Sequence, residues 1–331
     1  MNYACLEQIK TVQKATILVV LFYFCSTVQA QNHKIMPPHL KKGDTVAVLA
    51  TARKIDAAAL QPGIKLLESW GLRVILGKTI GKELNQLAGP DAERAADFQE
   101  MLDNPNVKAI WAAKGGYGTV KIIDKIDFSG FIKNPKWIIG FSDVTVLHSH
   151  INQLGFQTMH AIMAASVAAA TPAAKESLRK ALFGEPLEYN VSSHKLNQLG
   201  TAKAELVGGN LSVLYSIQGS ASEVNLDGKI LFLEDLDEYL YHIDRMITNL
   251  KRNNSLSKVK GIIVGGMTSM NDNTVPWGKN ALEIIKEAVQ DLPIPVVFNF
   301  PAGHIQDNRT LLLGSEISLE VTAQGTKVVF E

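Results

Sequence analysis

Short apolar runs alternate with amphipathic stretches along the first half of the chain. The apolar runs predict buried strands at residues 45–50, 72–76, 107–113 and 137–140. The amphipathic stretches predict helices at residues 57–70, 90–102 and 144–154. Because strands and helices alternate, the pattern predicts an α/β domain with a parallel sheet covered by helices on both faces.

The pattern changes in the middle of the chain. Residues 161–194 are weakly patterned, and Pro172, Gly184 and Pro186 interrupt them. We therefore predict a linker over residues 166–195, between an N-terminal domain (31–165) and a C-terminal domain (196–331). Beyond the linker, apolar runs predict strands at residues 230–233, 259–264, 296–298 and 310–313, and a helix is predicted at 281–289. The alternating segment at residues 317–330 is typical of β structure.

The N-terminus has the pattern of a signal peptide. Lys10 and Lys14 precede an apolar stretch at residues 15–24, and a small-residue cleavage site ends at Ala30. We expect residues 1–30 to be removed on export, which places the mature protein in the periplasm, free of the membrane. A retained anchor is the alternative, but the apolar stretch is shorter than the ~20 residues of a spanning helix.

Composition narrows the possible functions. The 331 residues contain 33 basic and 32 acidic side chains, without a basic tract, which disfavours a nucleic-acid partner. Both cysteines, Cys5 and Cys25, lie in the predicted signal peptide, so the mature chain would have no disulfide and no thiol nucleophile. The sequence also lacks a His-Glu-x-x-His motif, and we predict neither a metal nor a cofactor.

Three potential catalytic side chains each follow an apolar run. Ser142 follows the run at residues 137–139, Glu234 follows 230–233, and His304 comes soon after 296–298. Open α/β sheets carry their chemistry at the carboxyl ends of strands, and these three residue types form a nucleophile–base–orienter relay. Taken singly, each has a structural alternative: a helix N-cap for the serine, a solvated acidic loop for Glu234, and a structural histidine for His304.

Neighbouring residues could assist such a relay. The turn Lys114-Gly115-Gly116-Tyr117-Gly118 follows a predicted strand, and its glycines allow close backbone approach to a ligand or supply an oxyanion donor, although a simple tight turn is the alternative. The N–H of Asp143, at the start of a predicted helix, is a second oxyanion donor. Arg245, beyond the acidic segment 234–238, is a candidate clamp for a substrate carboxylate or else a surface ion pair.

Taken in order, these segments resemble the LD-carboxypeptidase family of serine peptidases, which includes muramoyltetrapeptide carboxypeptidases and microcin-C self-immunity peptidases. The resemblance runs from about Lys42 to the end of the chain. Its landmarks are residues 87–94, 106–110, 114–118, 140–143, 208–211, 233–235 and 303–304. Each landmark is weak alone, but their common order is specific.

The resemblance implies a fold, a site and an activity. The fold would be a flavodoxin-like parallel-sheet domain bearing the serine and a smaller, β-rich α/β domain bearing the other two catalytic residues, with a cleft between them, often in a homodimer. The implied site comprises a catalytic triad of Ser142, Glu234 and His304, an oxyanion hole of Asp143, Gly115 and Gly116, and substrate contacts from Lys114 and Asn210, to which we add Arg245. The implied reaction cleaves the L–D amide bond before the terminal D-alanine of peptidoglycan tetrapeptides.

Three departures from the family pattern bear on specificity. Lys114 stands where an arginine is usual, Ala50-Thr51-Ala52 stands in place of Ala-Pro-Ser, and His160-Ala161-Ile162 stands in place of His-Gly-Pro. Two alternative functions stay open: an immunity-type peptidase that hydrolyses a peptidyl–nucleotide antibiotic, and a non-catalytic exported peptide-binding protein.

The mature protein is expected to begin near Gln31, because the small-residue cleavage site ends at Ala30. N-terminal sequencing of protein recovered from separated cell fractions measures this directly. Protein with an intact Met1 in the membrane fraction would instead show that the N-terminal segment is retained as a membrane anchor.

Overall fold

The computed structural model describes residues 34–331, so the predicted signal peptide lies outside the described residues. The strands are β1 (Thr45–Leu49), β2 (Arg73–Leu76), β3 (Val107–Ala112), β4 (Trp137–Gly140), β5 (Thr158–His160), β6 (Glu188–Ser192), β7 (Gly200–Asn210), β8 (Ile230–Leu236), β9 (Gly261–Thr268), β10 (Val296–Val297), β11 (Leu311–Leu313), β12 (Glu316–Val321) and β13 (Gly325–Phe330). The α-helices are α1 (Gln61–Ser69), α2 (Asp91–Asp103), α3 (Ser129–Lys133), α4 (Thr145–Gln153), α5 (Pro172–Phe183), α6 (Leu211–Ser216), α7 (Leu240–Arg252) and α8 (Ala281–Val289). Over this range, none of the helices has the length and apolar character needed to cross a membrane.

The first sheet has the strand order β11-β5-β4-β3-β1-β2. Strands β1 to β5 are parallel, in the order 2-1-3-4-5 that characterises flavodoxin-like domains. Strand β4 is buried throughout, as expected for a parallel strand with both faces covered. The predicted parallel α/β domain is confirmed, and the carboxyl ends of its strands meet at one edge.

The second sheet is mixed, with the order β10-β9-β8-β7-β12-β13-β6. Strands β7 to β10 are parallel, whereas β12, β13 and β6 are antiparallel. The predicted helix 281–289 is confirmed as α8, which begins with a capping box between Asn280 and Glu283. Helices α7 and α8 bury their apolar faces in one core cluster with β8 and β9.

The apolar run 310–313, which was predicted as part of the C-terminal domain, is present as strand β11 of the first sheet. It pairs antiparallel with β5 of the first sheet, with Leu311 opposite His160 and Leu313 opposite Thr158. A three-residue apolar strand has no periodicity that identifies its partner, and the short strand β5 gave no signal of its own. The C-terminal part of the chain therefore completes the N-terminal sheet.

One apolar core also joins the two sheets. Trp111 and Met159 of the first sheet belong to the same buried cluster as Phe232 and Phe300 from the second half of the chain. The sheets are thus held together by core packing as well as by the hydrogen bonds of β11. The carboxyl-terminal ends of β4 and β8 are therefore positioned relative to each other by a continuous interior.

The predicted linker 166–195 contains α5 and β6. Thr171 caps α5 by accepting a hydrogen bond from the Ala174 N–H, and Pro172 occupies the first turn. Gly184 ends the helix in the left-handed conformation, at φ 75°. The residues that interrupted the sequence pattern are therefore a helix start and a helix stop, while the division of the chain into domains stays a prediction.

Replacing Leu311 by alanine should destabilise the whole protein, because Leu311 is fully buried in β11 and in the shared core. We expect a loss of about 2–5 kcal/mol in the free energy of unfolding, measured by urea denaturation, with a single transition. Leu84→Ala is the matched control, since Leu84 is 45% exposed and its loss should change stability by less than ~0.5 kcal/mol. Two separate transitions would contradict the shared core.

Candidate active site

Ser142 lies directly after β4, in a 3₁₀ turn over residues 142–144 that leads into α4. Its backbone has φ 64°, in the left-handed region that a serine rarely adopts and that costs about 1–3 kcal/mol. Gly115 packs directly against it, since a Cβ on Gly115 would lie 3.2 Å from the Ser142 Cβ. The turn presents the serine hydroxyl at the carboxyl edge of the first sheet.

His304 connects Ser142 with Glu234 of the second sheet. The Nε2 atom of His304 lies 3.1 Å from the Ser142 Oγ, and its Nδ1 lies 2.6 Å from the Glu234 Oε2. The backbone N–H of His304 donates to the same carboxylate oxygen at 3.1 Å. Glu234 is fully buried at the end of β8, where the register with β9 shifts between Leu233 and Asp235. The three side chains predicted from separate strand ends are therefore hydrogen-bonded in series.

The loop that carries His304 is fixed on several sides. Gly303 has φ 105°, and a Cβ there would lie 2.6 Å from the Glu234 Cβ, so only glycine lets the loop approach the carboxylate. The side-chain oxygen of Asn308 accepts the Gly303 N–H at 2.8 Å, and the buried His160 Nε2 lies 3.2 Å from the same oxygen. The Phe141 ring packs edge-on against the His304 imidazole, with ring centroids 4.8 Å apart. The imidazole is held by backbone, carboxylate and aromatic contacts together.

The electrostatics of the histidine are set by burial and by Glu234. Burial disfavours the charged imidazolium, but the hydrogen bond and charge of Glu234, aided by Asp235, outweigh it and raise the pKa of His304. Asp235 lies on the other side of the strand, where it accepts hydrogen bonds from the Asn210 amide and the Ser212 N–H, each at 2.9 Å. Burial, and then the charge of Glu234, raise the pKa of Asp235 to about 7. The structure therefore brings Glu234, and not Asp235, to His304.

Asp143 turns its side chain into the protein. Its Oδ2 accepts the Thr119 N–H at 2.8 Å, beyond the glycine turn 114–118. Burial raises the pKa of this carboxyl group, although hydrogen bonds from Thr119 and Gly118 oppose the shift. The Asp143 carboxyl thus connects the serine turn with the glycine turn, while its backbone N–H belongs to the first turn after the nucleophile.

Arg94 is the residue that sequence reasoning missed. Its guanidinium is fully buried and donates to the carbonyl oxygens of Gly118, Gly89 and Thr51, and it pairs with Asp91. It therefore holds the turns that follow β1 and β3 beside the cleft. Its burial could have been inferred from the sequence, because Arg94 lies one helical turn before Phe98 on the apolar face of α2.

A cleft of about 980 Å³ opens over the serine and the histidine. Its lining includes Lys114, Gly115 and Gly116 together with Ser142 and His304, so five of the predicted site residues meet there. The Gly115 and Gly116 N–H groups donate no hydrogen bond to any residue between 34 and 331. Over the same range, His, Cys, Asp and Glu side chains do not gather in a group that could hold a metal ion.

Two predicted substrate contacts lie elsewhere. Asn210 is buried, with its side chain occupied by Asp235 and by the first turn of α6, and it does not line the cleft. Arg245 lies over the Tyr241 ring at 5.2 Å and lines a different cavity with Trp277. The apolar face of α7 packs into the core, which turns Arg245 away from Ser142. The structure therefore does not bring Arg245 to the cleft.

Comparisons with known proteins find related sequences and structures over most of the chain. Residues 46–161 match the family of LD-carboxypeptidase N-terminal domains, and residues 203–319 match that of LD-carboxypeptidase C-terminal domains. A Bacillus subtilis (strain 168) protein named probable murein peptide carboxypeptidase is 37% identical, over 90% of this chain and 94% of its own length. The Escherichia coli microcin C7 self-immunity protein MccF is 27% identical, over 88% of this chain and 94% of its own. The crystal structure of muramoyltetrapeptide carboxypeptidase from Oxalobacter formigenes matches with a TM-score of 0.78 and 25% identity, over 86% of this chain and 98% of that one.

NMR titration of the histidine rings should place the pKa of His304 above the ordinary value of 6.5. Glu234→Gln should lower that pKa, because it removes the charge that opposes burial. His148 is the internal control: burial lowers its pKa to about 4, and the substitution should not alter it. A His304 pKa below 6.5 in the unmodified protein would contradict the proposed electrostatics of this site.

Proposed function

The chain belongs to the LD-carboxypeptidase family, and we propose that it hydrolyses the L–D amide bond before the terminal D-alanine of peptidoglycan tetrapeptides. As a member of this family it is a serine-type carboxypeptidase. The observation that carries the proposal is the series Ser142–His304–Glu234 at the cleft. The murein and muramoyltetrapeptide carboxypeptidases among its relatives support the choice of substrate.

In this mechanism His304 moves the proton and Ser142 forms the covalent bond. The Ser142 Oγ attacks the scissile carbonyl carbon while the His304 Nε2 accepts the hydroxyl proton. The proton then passes to the leaving nitrogen, the C–N bond breaks, and D-alanine departs from an acyl-enzyme ester. Water hydrolyses the ester with the histidine again acting as base. Glu234 holds the Nδ1–H tautomer and stabilises the imidazolium that forms.

The oxyanion of the tetrahedral intermediate would bind to backbone N–H groups. We assign this role to the N–H groups of Asp143, Gly115 and Gly116. Gly115 touches the serine, and the Gly115 and Gly116 N–H groups have no other acceptor within residues 34–331. Removing one such donor typically costs about 10²–10³-fold in kcat. The buried Asp143–Thr119 contact supports this assignment, because it holds the two turns that supply the donors.

The raised pKa of His304 determines the direction in which the enzymatic activity should change with pH. The base must be neutral to accept the serine proton, and the folded protein favours its charged form. The activity should therefore fall as the pH drops through a value above 6.5, and it should be retained on the alkaline side of that value.

Two other functions compete with this proposal. A peptide-binding protein without activity is disfavoured, because the chain belongs to a family of serine-type carboxypeptidases. An immunity-type peptidase is supported by the relationship to MccF, at a lower identity than that to the murein peptide carboxypeptidase. Substrate choice separates the two peptidase functions.

We further propose that the mature enzyme acts outside the cytoplasmic membrane on wall-derived peptides, and that it forms a homodimer. Export rests on the signal-peptide pattern of residues 1–30, and the dimer rests on the family resemblance.

Incubation with defined tetrapeptides, followed by mass spectrometry, tests the proposed reaction. A tetrapeptide that ends in D-alanine should release it at least ~100-fold faster than the isomer ending in L-alanine, because the wrong stereocentre displaces the scissile carbonyl. Peptides with lysine and with diaminopimelate at the third position should both be tried. Equal rates on the two isomers would reject the stereochemical assignment, and preferential cleavage of a peptidyl–nucleotide would favour the immunity function.

Substitutions in the relay provide the controls for this reaction. Ser142→Ala and His304→Ala should each lower kcat by on the order of 10⁴-fold or more, and the double variant should lose little beyond that. Glu234→Gln should also lower kcat sharply, whereas Asp237→Asn, which removes a nearby carboxylate outside the hydrogen-bonded series, should have little effect. Near-normal turnover in either single alanine variant would remove the triad assignment.

A further inference from the structure

We propose that Arg53 binds the terminal carboxylate of the residue that leaves, and so makes the enzyme selective for a free C-terminus. The inference rests on the proposed function, because it names the partner of one substrate group at the same site. Arg53 lies just beyond the end of β1 and lines the cleft with Ser142 and His304. It belongs to neither the relay nor the oxyanion hole.

The side chain of Arg53 lies across the glycine turn beside the nucleophile. A Cβ on Gly116 would lie 2.5 Å from the Arg53 Cγ and Cδ and 2.8 Å from its Nε. The Arg53 N–H also approaches the Gly115 carbonyl oxygen, at 3.4 Å. Any larger residue at position 116 would displace the arginine. The absence of a side chain there therefore gives the guanidinium its path into the cleft.

The basic side chains that line the cleft differ in whether they already form an ion pair with a carboxylate. Lys54 pairs with Glu83, and Lys82 pairs with Glu93. Arg53 and Lys114 line the same cleft, and neither has a carboxylate within 4.0 Å among residues 34–331. The remaining acidic residue of the lining is Asp56. Two cations are thus available to an anionic ligand.

Arginine suits the carboxylate nearest the scissile bond. Its planar guanidinium donates two parallel hydrogen bonds to a carboxylate, whereas a lysine ammonium acts as a point charge. The leaving residue has its Cα only 3.8 Å from the Cα before the scissile bond, so its carboxylate must bind close to Ser142. Arg53 lies across Gly116, next in sequence to the Gly115 that packs against Ser142, and it lines the same cleft as the serine. Lys114 is left for a carboxylate farther along the peptide.

The experiment compares a tetrapeptide that ends in a free D-alanine carboxylate with the same peptide ending in an amide. Affinities are measured by calorimetry in Ser142→Ala protein, which holds the peptide without turnover, and kcat and KM are measured in protein that keeps Ser142. We expect Arg53→Gln to weaken binding of the free acid about 10- to 100-fold and to leave the amide nearly unchanged. Arg53→Lys should restore part of the preference for the acid. In turnover measurements, Arg53→Gln should raise KM for the peptide with the free carboxylate and should not raise KM for the amide.

Lys54→Gln is the matched control, since it removes one positive charge from the adjacent position and the same cleft. It should keep the preference for the acid. The inference is overturned if Arg53→Gln retains that preference, if Lys54→Gln abolishes it equally, or if the protein binds neither peptide. Loss of the preference in Arg53→Gln, combined with no cleavage by protein that keeps Ser142, would support the carboxylate site and reject the proposed reaction.

Discussion

The position of the His304 ring is the constraint on which the rest of the structure depends. The Nε2 of His304 contacts the hydroxyl of Ser142, which follows β4 of the first sheet, and its Nδ1 contacts the carboxylate of Glu234 in the second sheet. The distance between the two sheets at this point is therefore limited to the range that these two hydrogen bonds allow. Close backbone packing provides that precision: a Cβ on Gly209 at the end of β7 would lie 2.5 Å from the Thr145 Oγ1 of α4. The Asn210 N–H donates to the same hydroxyl at 3.1 Å. The glycine pair before Asn210 thus sets how closely the two sheets approach.

Buried charge is the second feature that organises the site. Burying a guanidinium or a carboxylate is costly unless it is hydrogen-bonded, and Arg94 and Asp143 each have backbone partners in the turns around the cleft. These contacts hold the turn in which Ser142 adopts its left-handed conformation. The hydrogen bonds of neighbouring segments therefore help to offset the strain at the serine.

The sequence allowed the parallel sheet and its reactive edge to be predicted, because buried parallel strands are continuous apolar runs. Strand β4 and helix α8 occur where the pattern placed them. The pairing of β11 with β5 could not be predicted, because periodicity describes one segment and not its partner. The positions of Asn210 and Arg245 could not be predicted either. A polar residue at a strand end or on a helix can face the cleft, the core or solvent, and the sequence pattern does not show which of these it faces. Arg94 was recognisable as a charge on an apolar helix face, but its hydrogen-bond partners come from three separate turns.

The pairing of β11 with β5 has a consequence for the order in which the protein forms during synthesis. The edge of the N-terminal sheet is completed by residues 311–313, which follow strand β5 (158–160) by about 150 residues. A chain that has produced β1 to β5 must keep an unpaired strand edge on β5 until residues 311–313 have also been made. Contacts so distant in sequence slow folding, and an open edge invites pairing with other chains. The connection that gives the protein a single interior therefore leaves one sheet edge open to aggregation until folding is nearly complete.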